Sequence, residues 1–87
     1  MKKITLYGSP HCPQCPPVKE FLTENGIAFD YVDMTGSMLN LRDFLKYRDS
    51  SEAFAPVKAR GAVGVPCIVI NDGEKIILGM PDLADLR

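Results

Sequence analysis

The sequence predicts an α/β fold, in which a four-stranded mixed sheet is covered by helices on both faces. Segments rich in apolar and β-branched residues alternate with segments whose apolar residues recur about every 3.6 positions, which indicates strands and helices in turn. The first half has the order strand, helix, strand, which is typical of a right-handed unit with parallel strands. The second half contains two apolar segments around a tight-turn signal, which indicates a hairpin. At 87 residues, the chain predicts a single domain, residues 1–87.

The first half of the chain contains two predicted strands and the helix between them. Polar and apolar residues alternate from Lys3 to Tyr7, which predicts the first strand. Apolar residues at helical spacing from Val18 onward predict a helix, and Asn25-Gly26 is a typical helix end. The segment Ile27–Met34 is predicted to form the second strand, parallel to the first.

Two helices are predicted in the middle of the chain. Ser37 is expected to cap the first of them, which Arg48–Ser51 ends. Its apolar stripe is assigned to the core and consists of Leu39, Leu41, Phe44 and Leu45. Ser51 is expected to cap a second, short helix that runs through Arg60.

The last part of the chain predicts a strand, a hairpin and a short helix. Val65–Ile70 is continuously apolar, which favours a strand buried on both faces. Asn71–Glu74 is a hairpin signal, and Lys75–Leu78 is the returning strand. Pro81–Arg87 is predicted to be the last helix, with the proline at its first position.

Composition and charge exclude several classes of function. The formal net charge is −1, so the chain lacks the basic face that binding to nucleic acid requires. No segment approaches the roughly 20 apolar residues of a membrane span, and no secretory signal follows the first lysines. Three cysteines also fit poorly with a secreted disulfide scaffold. We therefore expect a cytoplasmic protein with neither a nucleic-acid nor a membrane partner.

The clearest chemical signal is Cys12-Pro13-Gln14-Cys15, which lies between the first strand and the first helix. Two cysteines three positions apart on a helical turn can reach each other and form a disulfide. In a reducing compartment, such a pair is typical of redox catalysis. We therefore expect Cys12 and Cys15 to be catalytic, with Cys15, deeper in the helix, as the resolving thiol of higher pKa.

Prolines around this pair affect where the helix begins. Pro13, Pro16 and Pro17 have no backbone N–H to donate. If the helix began at Cys12, the two later prolines would each remove an intrahelical hydrogen bond. We expect either a distorted first turn or a regular helix that starts nearer Cys15.

A metal or iron-sulfur binding module is the alternative function for the same cysteines. A four-cysteine zinc site would need a second pair, which the sequence lacks. His11, Cys12, Cys15 and Cys67 provide enough ligands for a zinc ion, but adjacent His11 and Cys12 make tetrahedral geometry awkward. Cys67 is otherwise expected to be a small buried hydrophobic residue.

Three segments together resemble the glutaredoxin branch of the thioredoxin superfamily. They are Tyr7–Cys15, Gly64-Val65-Pro66 and the stretch from Leu78 to Leu83. The resemblance covers essentially the whole chain. It implies the thioredoxin fold and a thiol-disulfide oxidoreductase in which Cys12 attacks and Cys15 resolves.

The resemblance also implies a substrate site around the dithiol. The Val65-Pro66 bond would be cis, so that the backbone of Val65 can pair with a substrate beside Cys12. Asp82 matches the acidic residue that binds the γ-glutamyl group of glutathione. His11 is a further candidate binding residue, because its protonated ring would stabilise the Cys12 thiolate, although a solvated loop side chain is the alternative.

The chain departs from the family at positions that bind glutathione. Ser9 stands where the family usually has Lys or Arg, and Ala62 and Val63 stand where it often has Arg or Gln. In the later γ-glutamyl segment, only Gly79 and Asp82 match. The resemblance therefore predicts dithiol chemistry more firmly than glutathione binding.

The predicted partners follow from the resemblance. The substrate would be a disulfide-containing protein or a glutathione mixed disulfide; no bound cofactor is expected, and glutathione is a candidate reductant. Lys58 and Arg60 are candidate carboxylate partners, with exposed helix charges as the alternative. Gln14 and the Gly79–Asp82 stretch are similar, less closely, to glutaredoxin-like electron donors of ribonucleotide reductase, which makes thioredoxin reductase a further candidate partner.

Overall fold

The structure is a computed structural model, and it describes residues 3–86. Its strands are β1 (Ile4–Gly8), β2 (Asp30–Asp33), β3 (Cys67–Ile70) and β4 (Lys75–Leu78). They form one sheet in the order β2-β1-β3-β4, in which β2 is parallel to β1 and the two other pairings are antiparallel. The predicted four-stranded mixed sheet is therefore confirmed.

Helices cover both faces of this sheet. They are α1 (Cys15–Glu24), α2 (Met38–Ser50), α3 (Ala55–Ala59), which a 3-10 turn at Glu52–Phe54 precedes, and α4 (Leu83–Leu86). None of the helices formed by residues 3–86 is long and apolar enough to cross a bilayer.

The alternation of side chains along β1 and β3 produces two cores, one on each face of the sheet. One core combines strand residues with α1 and α4, and its buried members are Ile4, Leu6, Val18, Leu22, Ile68, Ile70 and Leu86. The other combines strand residues with α2 and the 3-10 turn, and its buried members are Tyr7, Met34, Phe44, Phe54, Cys67 and Val69. The continuously apolar third strand is buried on both faces, as predicted.

The second strand is shorter than the predicted segment Ile27–Met34. The reason lies at the end of α1, where Gly26 has φ +69° and the N–H of Ile27 donates to the carbonyl of Leu22 at 2.9 Å. This bond caps the helix. The first residues of the predicted strand therefore complete the helix end instead of pairing with β1.

The helix α2 differs from its prediction in length and in the extent of its buried face. Ser37 caps it as predicted, accepting a hydrogen bond from the N–H of Asn40 at 3.1 Å. The helix continues through Arg48–Ser50, however, and the chain leaves it only at Ser51, which caps the following turn. Assigning Leu39 to the core was wrong, because its side chain is 62% exposed.

The third strand and the last helix both begin two residues later than predicted. β3 starts at Cys67, directly after the cis Val65-Pro66 bond. The side chain of Asp82 accepts the N–H of Ala84 at 3.0 Å, so α4 begins after this cap. Pro81 therefore precedes the helix, and the predicted end at Arg87 lies outside the described residues.

Candidate active site

The dithiol lies where β1 passes into α1. Cys15 is the first residue of α1, and Gln14 is its N-cap without a capping side-chain hydrogen bond. Pro16 and Pro17 thus occupy the first turn, where a backbone N–H has no partner within the helix. Their missing donors cost the helix nothing, which confirms the prediction that the helix starts near Cys15.

The two thiols of the dithiol differ in their exposure. Cys12 is partly exposed, whereas Cys15 is 1% exposed. Burial, together with a smaller contribution from the hydrogen bond with the Cys12 side chain, raises the pKa of the Cys15 thiol to about 11. The shift has the direction that the sequence predicts for a resolving thiol deep in the helix.

Gly8, the last residue of β1, lies directly against the inner thiol. A Cβ atom on Gly8 would be 2.9 Å from Sγ of Cys15 and 3.3 Å from Cε1 of Tyr31. Only glycine therefore leaves room for the sulfur beside the strand. Sequence reasoning missed this role, and the available signal was a glycine that ends a strand just before the dithiol.

Ser9 organises the loop that carries Cys12. Its side chain is buried, its carbonyl accepts the N–H of Cys12 at 3.0 Å, and its Oγ accepts the N–H of His11 at 3.1 Å. The backbone N–H of Ser9 donates to the thiol of Cys15, which opposes the rise in that pKa. In the sequence, Ser9 shows only the lack of a cation, whereas in the structure its hydrogen bonds connect both halves of the dithiol.

The turn after β2 supports Ser9 from the other side. The N–H and the hydroxyl of Thr35 both donate to Oδ1 of Asp33, and the bond from the hydroxyl holds the pKa of this carboxyl below its ordinary value. The Thr35 hydroxyl uses its one hydrogen in that bond. The Ser9 hydroxyl, whose Oγ is 3.1 Å from Oγ1 of Thr35, therefore donates to it.

The Val65-Pro66 bond is cis, as the resemblance implied, and it faces the outer thiol. Sγ of Cys12 donates to the carbonyl of Val65 over 3.8 Å, a distance suited to a sulfur donor. Pro66 is fully buried beneath this contact. The fold thus brings Cys12, Val65 and Pro66 together.

Two clefts lie next to this contact. One, of about 370 Å³, runs past Val65 to Arg60, and the other, of about 240 Å³, is largely apolar and runs past Pro13 to Met80. Gln14, Pro66 and Gly79 line both clefts. A ligand that reaches Cys12 can therefore extend in either direction.

The remaining predicted site residues differ in their position relative to these clefts. Asp82 caps α4 and does not line either cleft, and the side chain of His11 is exposed. Of the two candidate carboxylate partners, Arg60 lines the larger cleft, whereas Lys58 is exposed on α3 and does not.

Cys67 lies on the other face of the sheet, in the core with Tyr7 and Phe44. It is fully buried, as predicted, and burial raises its pKa to about 12. Within residues 3–86, no three side chains of His, Cys, Asp or Glu are arranged to hold a metal ion. The described residues therefore do not assemble the four-ligand site that the sequence left open.

Comparison with known proteins yields consistent similarities over almost the whole chain. The sequence model of the family described as Glutaredoxin matches residues 4–76. An uncharacterized protein from Haemophilus influenzae is 32% identical over 87 residues, covering 100% of this chain and 96% of that protein. The structure of the thioredoxin-like protein BC3987 has a TM-score of 0.69 at 31% identity, covering 98% and 100% of the two chains. The glutaredoxin from Methanosarcina mazei Go1 has a TM-score of 0.69 at 27% identity, covering 95% of this chain and 73% of that one.

Proposed function

This chain belongs to the glutaredoxin family of the thioredoxin superfamily, and on that premise we propose that it reduces protein or glutathione mixed disulfides with the Cys12/Cys15 pair. The family supports a thiol redox role in general. The observation that carries the specific proposal is the contrast between the thiols. Cys12 is partly exposed beside the cis-proline and two clefts, and Cys15 is buried behind it.

The reaction has two exchange steps. The Cys12 thiolate attacks one sulfur of the substrate disulfide, the substrate S–S bond breaks, and the departing thiolate takes up a proton from solvent. Cys15 then loses its proton and attacks Sγ of Cys12, which releases the second substrate sulfur. The substrate gains two electrons, and the protein is left with a Cys12–Cys15 disulfide.

Substrate binding is assigned to the residues around the clefts. The backbone of Val65 would pair with the chain that carries the attacked sulfur, and Pro66 would form the floor beneath it. Arg60 would bind a carboxylate of glutathione, since it is the one charged side chain among the described residues lining the larger cleft. His11 would stabilise the Cys12 thiolate from its exposed side. Asp82 lines neither cleft, so it would contact glutathione only if the bound molecule extended beyond them.

Replacement of each active thiol tests the proposed reaction. Cys12→Ser should abolish reduction of a peptide–glutathione mixed disulfide, because it removes the attacking sulfur. Cys15→Ser should still form the Cys12 mixed disulfide, visible by mass spectrometry as an added glutathione. Unchanged turnover in Cys12→Ser protein would overturn the proposal.

The reductant that restores the dithiol is tested separately. A single positive side chain in the cleft supports only weak binding of glutathione, whose two carboxylates need partners. We expect thioredoxin reductase with NADPH to reduce the oxidised protein faster than glutathione does. Faster reduction by glutathione, lost in Arg60→Gln, would instead assign that role to glutathione.

A further inference from the structure

A third cleft reaches the dithiol from behind, between α1 and β2. It has a volume of about 440 Å³, and Cys15, Lys19 and Tyr31 are among the residues that line it. It shares no lining residue with the two clefts next to Pro66. The inner thiol therefore lines a cleft of its own, separate from the two clefts to which substrate binding is assigned.

Lys19 is held on the wall of this cleft. It lies four residues after Cys15 on α1, so the two side chains are on the same side of the helix. Its Nζ is 4.1 Å from the centre of the Tyr31 ring, well within the range of a cation–π contact. The edge of the same ring and Sγ of Cys15 both lie close to Gly8, which places the cation near the sulfur.

Among the titratable groups around Cys15, Lys19 is the cation that lowers the pKa of its thiol. Cys12 faces Cys15 from the loop, and Tyr31 and Asp33 face the cleft from β2, whereas β1 presents only Gly8. The carboxylate of Asp33 accepts two hydrogen bonds from Thr35, and burial raises the pKa of Tyr31, which keeps its hydroxyl neutral. The only histidine, His11, is exposed on the outer loop.

Formation of the mixed disulfide changes which groups affect the pKa of Cys15. Burial makes the largest contribution to the raised pKa of Cys15, and the Cys12 thiol adds to it. Once Cys12 is bonded to substrate, it carries neither a proton nor a charge, so its contributions disappear. Burial then still raises the pKa of Cys15, whereas two groups, the Ser9 N–H and Lys19, lower it by favouring the thiolate.

We propose that Lys19, held over Tyr31, is a positioning residue for the second exchange step, in which its positive charge favours the thiolate of Cys15. This inference rests on the proposed function. In that step the Cys15 proton leaves to solvent through the third cleft, and the thiolate forms a bond with Sγ of Cys12. The bond between Cys12 and the substrate sulfur breaks, and the substrate leaves as a thiolate that solvent protonates.

An aromatic disulfide whose released thiolate is coloured separates the two steps in one experiment. At a large excess of this probe, a fast first phase reports attack by Cys12, and a second phase reports resolution by Cys15. Lys19→Met should slow the second phase about three- to tenfold near pH 7 and move its pH midpoint upward, because the thiolate loses a nearby cation. Lys19→Arg keeps the positive charge and should therefore give the wild-type rate and pH midpoint of the second phase. The first phase should be unchanged, and Lys46→Met, which removes an exposed lysine on α2, should behave as wild type.

Tyr31 provides a second, independent pair of variants. Tyr31→Phe keeps the ring beneath the ammonium and should resolve as wild type does, whereas Tyr31→Leu should slow the second phase in the same direction as Lys19→Met. The inference is overturned if Lys19→Met leaves the second phase and its midpoint unchanged, or slows it equally at every pH. Absence of a first phase in the wild-type protein would overturn the proposed function, and this inference with it.

Discussion

Two cysteines of this protein are equally buried, yet their surroundings differ. Cys15 is 1% exposed and Cys67 is 0% exposed, and burial raises the pKa of both thiols. Burial is the only cause acting on Cys67, which lies in the core with aromatic rings. Cys15 instead receives the N–H of Ser9, lies within the field of Lys19 and lines a cleft that opens to solvent.

The comparison shows that two equally buried thiols can differ in the groups that offset the effect of burial. Removing a thiolate from water is unfavourable at both positions, but only Cys15 has neighbouring groups that stabilise the charge. Cys67 has no such group among the causes of its shift, and the sheet separates it from the α1 side. We therefore expect reactivity to follow the polar surroundings of each sulfur, and the following changes test this difference.

The largest expected difference concerns turnover. Cys15→Ala should stop the reaction after one equivalent of Cys12 mixed disulfide when no other thiol is added, because no sulfur remains to resolve it. Cys67→Ala should retain turnover per folded molecule, since the lost sulfur lies in the other core. Turnover is measured with a peptide disulfide substrate, and equal loss in both variants would contradict the distinction.

A smaller effect is expected from filling the space beside Cys15. Gly8→Ala places a methyl group 2.9 Å from the sulfur, which should destabilise the fold by about 1–3 kcal/mol and lower turnover per folded molecule by about tenfold. Gly61→Ala is the matched control. Its Cβ would have no atom within 4 Å, and the left-handed backbone at φ +70° should cost about 1 kcal/mol without lowering turnover. Urea unfolding and the turnover assay give both quantities, and equal turnover of the two variants would show that Gly8 has no special relation to the site.

The third difference is a dependence of stability on pH. The pKa of Cys67 is raised from 9.0 to about 12 in the folded protein, so the protonated thiol is favoured there. Its contribution to stability is complete below pH 9 and is lost as the pH rises toward 12, because the unfolded chain ionises first. Between these values the free energy of unfolding should fall more steeply in wild type than in Cys67→Ala, by up to about 1.4 kcal/mol per pH unit.

Urea unfolding of the reduced proteins over a pH series measures this slope. Cys15 also has a raised pKa, but it is present in both proteins and cancels in the comparison. The raised pKa of Tyr7 comes mainly from burial and in smaller part from Cys67, so replacing Cys67 removes that smaller contribution as well. Parallel stability curves for wild type and Cys67→Ala would mean that Cys67 ionises as easily when folded as when unfolded.

The parts of the fold that depend on local sequence could be predicted. Two consecutive prolines placed the start of α1 near Cys15, and Ser37 marked the start of α2. The hairpin was predictable because Asn71 and Asp72 tolerate the positive φ that the turn requires. That the dithiol and Val65-Pro66 lie together could be predicted only from the family resemblance, which includes the spacing between these two segments.

The features that depend on tertiary contacts could not be predicted in this way. The contact of Gly8 with Cys15 and that of Lys19 with Tyr31 each join two elements whose relative placement no local pattern specifies. The structural role of Ser9 was missed because its hydrogen bond to Thr35 depends on β2 lying beside β1. Leu39 fits the helical period, but no other element covers that end of α2 enough to bury it.

The most direct test of the account is to identify which sulfurs are joined after a single turnover. Reduced protein is mixed with one equivalent of a peptide–glutathione mixed disulfide, free thiols are blocked with acid and an alkylating reagent, and the peptides are mapped by mass spectrometry. The account predicts a disulfide between Cys12 and Cys15, with Cys67 recovered as a thiol. A disulfide that contains Cys67, or full turnover with both Cys12 and Cys15 still reduced, would contradict it.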